Sequence, residues 1–182
     1  NYFYSLWNCG SIMSYTYSKI ATVTIGSGGS SSINFLAIPQ NYTDLVIKIS
    51  ARKANNDYDI QMKFNSSTSG YSSKYLESNG TAASVGGYSA QSSSWAANAS
   101  TNNQTANIFG NSEIYIPNYT SGNYKNWGAD VVNENNATAA VADLLSGLWS
   151  NSAAINSIEL NANGSTFVQY SSATLYGIKA EV

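Results

Sequence analysis

The chain has 182 residues, 43% of them hydrophobic and only 10% charged, with a net charge of −2. That length suits one domain with its own core, and that hydrophobic share excludes a disordered polymer. The eight Lys and Arg are scattered, only Arg52 and Lys53 being adjacent, so no basic stripe exists to neutralise phosphates and nucleic acid is not an expected partner.

In chain order, residues 1–12 come first. They are aromatic-rich and lack the charged leader and clean apolar run of a signal peptide. More regular sequence follows Met13. One reading makes Met13 the native start and residues 1–12, with Cys9, an extension foreign to the protein; the other makes them an ordered strand or arm. Residues 13–182 are the expected single domain.

Short runs of period-two alternation then recur between Gly/Ser/Asn clusters. Ile20–Ile25 reads as a strand, and Gly26–Ser30 as a turn. Ile33–Leu36 is a second strand. Asp44–Arg52 is the clearest, with Leu45, Ile47, Ile49 and Ala51 on one face and Lys48, Ser50 and Arg52 on the other. Ile60, Met62 and Phe64 repeat the pattern, and Tyr71–Leu76 is a further short strand. Residues 78–107 are polar apart from Val85, Tyr88 and Trp95. A structureless loop of that length is unusual, so it is either a functional excursion or strands whose packing a partner supplies.

Glu113–Tyr119 is strand-like, with Pro117 marking an edge or an end. Asn126–Glu134 puts Trp127, Ala129 and Val131 on one face. Thr138–Trp149 fits both a helix and a strand, and its β-rich surroundings favour a strand. Ile155–Leu160, Phe167–Tyr170 and Ala173–Ile178 close the chain as strands, with Asn163-Gly164 as a hairpin turn. Many short strands without helix caps predict an antiparallel, jelly-roll-like β-sandwich. Apolar groups on both faces of Ala173–Ile178 place that segment inside a sheet.

Little is left to carry catalysis. There is no histidine, the commonest general base and zinc ligand, and Cys9 is the one cysteine. No apolar run approaches the ~20 residues of a membrane span. Asp130 and Glu134 share a strand face about 13 Å apart, too far for a glycosidase pair. Asn55–Asp59 is rich in oxygen ligands, yet it lacks the glycine and closing glutamate of a calcium loop; an Asx-rich turn is the plainer reading, with calcium at Asp57 and Asp59 left open. Gly26–Gly29 lacks the Gly-Lys-Ser/Thr ending of a phosphate loop. The expectation is no enzyme, no catalytic residue, no metal and no cofactor.

The aromatics are the remaining signal, fourteen Tyr and four Trp. Tyr88 and Trp95 stand out because they lie in the polar stretch, and they are the candidate binding residues. Three roles fit Trp95: covering one end of its own sandwich, anchoring a neighbouring subunit, or stacking on a sugar.

Several stretches then resemble a known group. Lys19–Gly29, Tyr42–Arg52, Phe64–Ser72, Glu113–Tyr119, Glu134–Thr138, Leu148–Asn151 and Phe167–Ile178 are similar to virion structural proteins of marine and other aquatic tailed bacteriophages. The resemblance covers nearly everything from Lys19 to Lys179. It implies a component on the outside of the virion, either capsid decoration or a tail-fibre or appendage domain. The implied partners are copies of itself, as a homo-oligomer of three-fold symmetry, other virion proteins, and host surface glycans. It supplies no site residues. From another class, a carbohydrate-binding β-sandwich module is the alternative.

Overall fold

In the computed structural model, residues 15–79, 82–134 and 138–180 are described. The expectations for residues 1–12, Met13 and Cys9 lie outside the described residues.

Twelve strands run through the described residues, and no helix. They are β1 (Tyr15–Thr24), β2 (Ser32–Phe35), β3 (Asp44–Ala51), β4 (Asp59–Phe64), β5 (Tyr71–Ser78) and β6 (Ala83–Gln91). The rest are β7 (Ser94–Asn98), β8 (Gly110–Ile116), β9 (Lys125–Glu134), β10 (Ala140–Trp149), β11 (Ile158–Asn161) and β12 (Ser172–Ala180). They form two antiparallel sheets, ordered β1-β12-β3-β8-β9-β10-β5-β6 and β2-β11-β4-β7.

The hairpins β5–β6 and β9–β10 are insertions in a simpler pattern. Without them the strands pair as β1 with β12, β2 with β11, β3 with β8, and β4 with β7. The first strand pairs the last, the second the last but one, and so inward, while successive pairs alternate between sheets. One long hairpin wrapped across two sheets is a jelly roll. Both inserted hairpins join the sheet of β1, β12, β3 and β8, and widen it from four strands to eight.

The alternating strands bury the residues expected of them. Leu45, Ile47, Ile49 and Ala51 of β3 face Ile60, Met62 and Phe64 of β4 across one core, joined by Trp127, Ala129 and Val131 of β9. β12 lies inside its sheet, between β1 and β3, as its apolar content demands. Ala173 and Leu175 are buried against the core, while Thr174 and Tyr176 on the other face are half-buried. β10 is a strand. Its inward Asp143, Leu145 and Trp149 are buried, and its outward Leu144 and Leu148 are exposed, which is what made its sequence look helical.

Phe167–Tyr170 is not a strand. Phe167 makes isolated bridges to Ser30 and Lys53, and Tyr170 has a φ of 72°. This segment carries the chain from the smaller sheet back to the larger, so it cannot stay in one ladder. Asn163 and Gly164 form the expected turn, with φ of 48° and 75° and Ser165 N–H bonded to Ala162 C=O at 3.2 Å. That turn opens the crossing and closes no hairpin.

Gly147 of β10 stands opposite Trp127 of β9, and a Cβ there would collide with the buried indole. Gly147→Ala is expected to cost about 1–3 kcal/mol through overpacking. A lower urea midpoint at unchanged slope would record it; wild-type stability would mean that the indole can shift.

Candidate functional site

The polar stretch 78–107 supplies β6 and β7, and both candidate binding residues lie there. In the β4–β7 register, Ala97 and Ser94 stand with the core residues Ile60 and Met62; Trp95 and Asn98 stand with Gln61 and Asp59 on the opposite face. An extra residue at Ala96 makes this offset. All five residues of β7 are nonetheless buried. The second face is covered by the inserted β5–β6 hairpin, whose Tyr75 and Tyr88 rings lie 5.1 and 6.4 Å from the Trp95 ring. Tyr58 adds a third ring at 6.2 Å.

Trp95 is buried despite its polar neighbours in the chain: it is 4% exposed. Its Nε1–H donates to Asn98 Oδ1 at 2.8 Å and to Ala97 C=O at 3.2 Å. Burial of this kind matches the covering role within its own sandwich. Tyr88 is 47% exposed and stacks on Tyr75, so it is the accessible rim of the cluster.

Carboxylates gather beside these rings. Asn98 Nδ2–H donates to Asp143 Oδ2, while Asp143 Oδ1 is buried without a partner. Burial pushes the Asp143 carboxyl up to about 6, with the Glu77 and Asp59 charges adding to the rise and the Asn98 bond opposing it. Asp59 is likewise pushed up to about 6, first by burial and then by Asp57, with Lys53 opposing. Tyr58 rises to about 12, chiefly through burial. Tyr75 was legible as the second inward residue after Tyr71 on one strand. Nothing in the sequence links Asn98 to Asp143.

The oxygen-rich loop is held by the chain's own groups. Asp57 Oδ1 accepts from Asp59 N–H at 2.9 Å; Oδ2 accepts from Asn163 Nδ2 at 2.8 Å and lies 3.6 Å from the buried Lys53 Nζ. That ammonium also donates to Asp59 C=O at 2.8 Å. Its pKa is lowered, because desolvation outweighs the nearby carboxylates. An Asx-turn clamped by a lysine is the geometry present, and a cation would have to displace the ammonium. Among the described residues, no three or more His, Cys, Asp or Glu group as a metal site. Asp130 and Glu134 both face outward, and Glu134 Oε1 accepts from Thr105 N–H at 2.8 Å.

The outward face of the eight-stranded sheet is an open surface with relief. A depression of about 480 Å³ lies over Gly128 and Ser146, between Tyr115, Lys74, Asn126 and Leu148. Small residues make its floor, and the Tyr115 ring, 43% exposed, makes one wall. Tyr115 O–H donates to Asp44 Oδ2 at 2.8 Å, which fixes the ring's tilt. Beside it Lys48 pairs with Glu113 at 2.9 Å. Farther along, Val132, Leu144, Leu76 and Val85 stand exposed. Among the described residues no helix is long and apolar enough to cross a membrane.

No family model, curated protein or solved structure matches the chain.

Proposed function

We propose that the chain is a non-enzymatic structural protein on the outside of a tailed-bacteriophage virion, as capsid decoration or as a tail-fibre or appendage domain that contributes to host attachment. The observation that carries this reading is the jelly-roll pairing, an architecture recurrent in capsid and lectin domains. Two inserted hairpins enlarge one face of it and, among the described residues, build no cleft around a reactive group. One of the two carboxyls with raised pKa lies out of a substrate's reach. Asp143 is 2% exposed and bonded to Asn98, so it has no reach to a substrate proton. The similarity to aquatic phage virion proteins gives the reading its location, the virion, and its partners: copies of the chain, other virion proteins and host surface glycans. Three-fold symmetry is part of what that similarity implies.

Immunogold labelling of intact tailed-phage particles whose genome encodes the chain tests it. Gold on capsid or tail exteriors is expected, and particles that label only after disruption would overturn the exterior placement.

A carbohydrate-binding module is the second reading, favoured by the depression beside Tyr115. An exposed ring next to amide, hydroxyl and ammonium groups is the equipment for a sugar's apolar face and its hydroxyls. Tyr115→Ala is expected to abolish retention on a glycan array or on host cells while leaving particle labelling intact. Wild-type chain retained by no glycan would exclude this second reading.

A further inference from the structure

A sheet edge exposes unpaired backbone N–H and C=O groups, which template another strand unless something blunts them. Three of the four edges here are managed. β1 carries the exposed Lys19 and a register irregularity between Lys19 and Ala21. β2 is only four residues long. β7 is five residues long and buried throughout.

β6 lacks the charge, the shortness and the burial that protect the other three edges. It is nine residues long and exposed at every position except the half-buried Gly86. It contains no charged residue and no proline, and the uncharged stretch runs from Ser78 to Ser112. Its pairing with β5 is regular from Ala83 to Tyr88, and the extra residue at Ser89–Ala90 disturbs only its end. Among the described residues, no backbone group pairs with its outer side. The outward side chains lead to this edge in an apolar row: Leu144 opposite Leu76, and Leu76 opposite Val85, which is 76% exposed.

We infer that β6 is a self-association edge, where two copies of this chain join β6 to β6, antiparallel, about a two-fold axis at Val85. A two-fold axis normal to the sheet keeps outward residues outward, so one residue of the strand must oppose its own copy. With Val85 at the axis, Ser84 opposes Gly86 of the second copy and Ala83 opposes Gly87. Every opposed pair is small or β-branched, and no charge meets a like charge. The two apolar rows then fuse across the axis, from Leu144 through both Val85 residues to the second Leu144. A foreign strand would find no charge or pocket on β6 to select it, whereas a second copy complements it in backbone and side chain alike. The inference does not rest on the virion reading, and this two-fold contact is separate from any three-fold arrangement within a particle.

The regular stretch is short, so the contact falls below the ~800 Å² per partner of a standard interface and the dimer is expected to be micromolar. Sedimentation velocity on the full chain tests it. Dimer is expected at roughly 100 µM and monomer at about 1 µM. Val85→Lys and Val85→Glu, at a position exposed in the monomer, should each stay monomeric at the higher concentration with an unchanged melting temperature at the lower one. Mixed in equal amounts they should dimerise again, because this register sets the new lysine directly against the new glutamate. Three results overturn the inference: a wild-type chain monomeric at the higher concentration, single variants that associate as the wild type does, or a mixture that remains monomeric.

Discussion

Trp95→Ala lowers the stability of the folded chain by about 3–5 kcal/mol, the cost typical of truncating a buried tryptophan. The indole is 4% exposed and lies against Tyr75, Tyr58 and Tyr88, so its loss leaves a cavity walled by rings fixed on three separate elements. The wall cannot close easily, because β5 and β6 are paired with each other and the loop before β4 is pinned where Ala99 N–H donates to Tyr58 C=O at 2.9 Å. A polar cost adds to the cavity. Asn98 Oδ1 loses the indole N–H, and Asn98 is also the group that holds Asp143. Tyr88→Ala removes a ring that is 47% exposed and is expected to cost no more than about 1 kcal/mol. Urea unfolding of the two variants separates them. A Trp95→Ala loss no larger than that of Tyr88→Ala would mean that the indole is not part of the core.

The second expectation concerns pH. In the fold Asp143 titrates near 6, against an ordinary value of 3.8, because burial disfavours its charged form. Between those values the folded chain holds a proton that the unfolded chain has released. The group's contribution is therefore most favourable below the unfolded pKa and is lost as pH rises from 3.8 to about 6, with no further change above. Asp59 acts in the same direction over the same window. Asp143→Asn removes one of these two titrations while keeping an oxygen to accept from Asn98. The difference in stability between pH 4 and pH 7.5 is expected to shift by about 1–3 kcal/mol toward the neutral side relative to wild type. Comparing the variant with itself at two pH values cancels the constant cost of the new amide. Parallel stability curves for variant and wild type over this range would show that Asp143 is already ionised in the fold at pH 4.

These effects show where sequence reasoning reached and where it stopped. Trp95 stood out as a candidate binding residue because its neighbours in the chain are Ser, Ala and Asn, with covering its own sandwich as one of its three readings. Those small residues do the opposite of exposing it. Ala96, Ala97 and Ala99 let β7 lie close against the larger sheet, and Ser94 and Asn98 are buried with hydrogen bonds. A polar stretch can be interior when its polar groups are paired and its apolar partners come from elsewhere. Phe167–Tyr170 failed as a strand because the chain there must change sheets.

The sequence by itself determined the fold class, most strand positions, the inward faces of β3, β4 and β9, and the placement of β12 within a sheet. Period-two alternation is a local signal, and each of those features depends on which face of a strand is apolar. Tertiary structure alone decided which strands pair, that two hairpins widen one sheet, and that Tyr75 and Tyr88 close over Trp95. It also decided that Asn98 meets Asp143 across 45 residues of chain and that β6 is left as an open edge. Those outcomes are set by contacts between segments distant in sequence, and no local periodicity encodes which distant face a buried residue will meet.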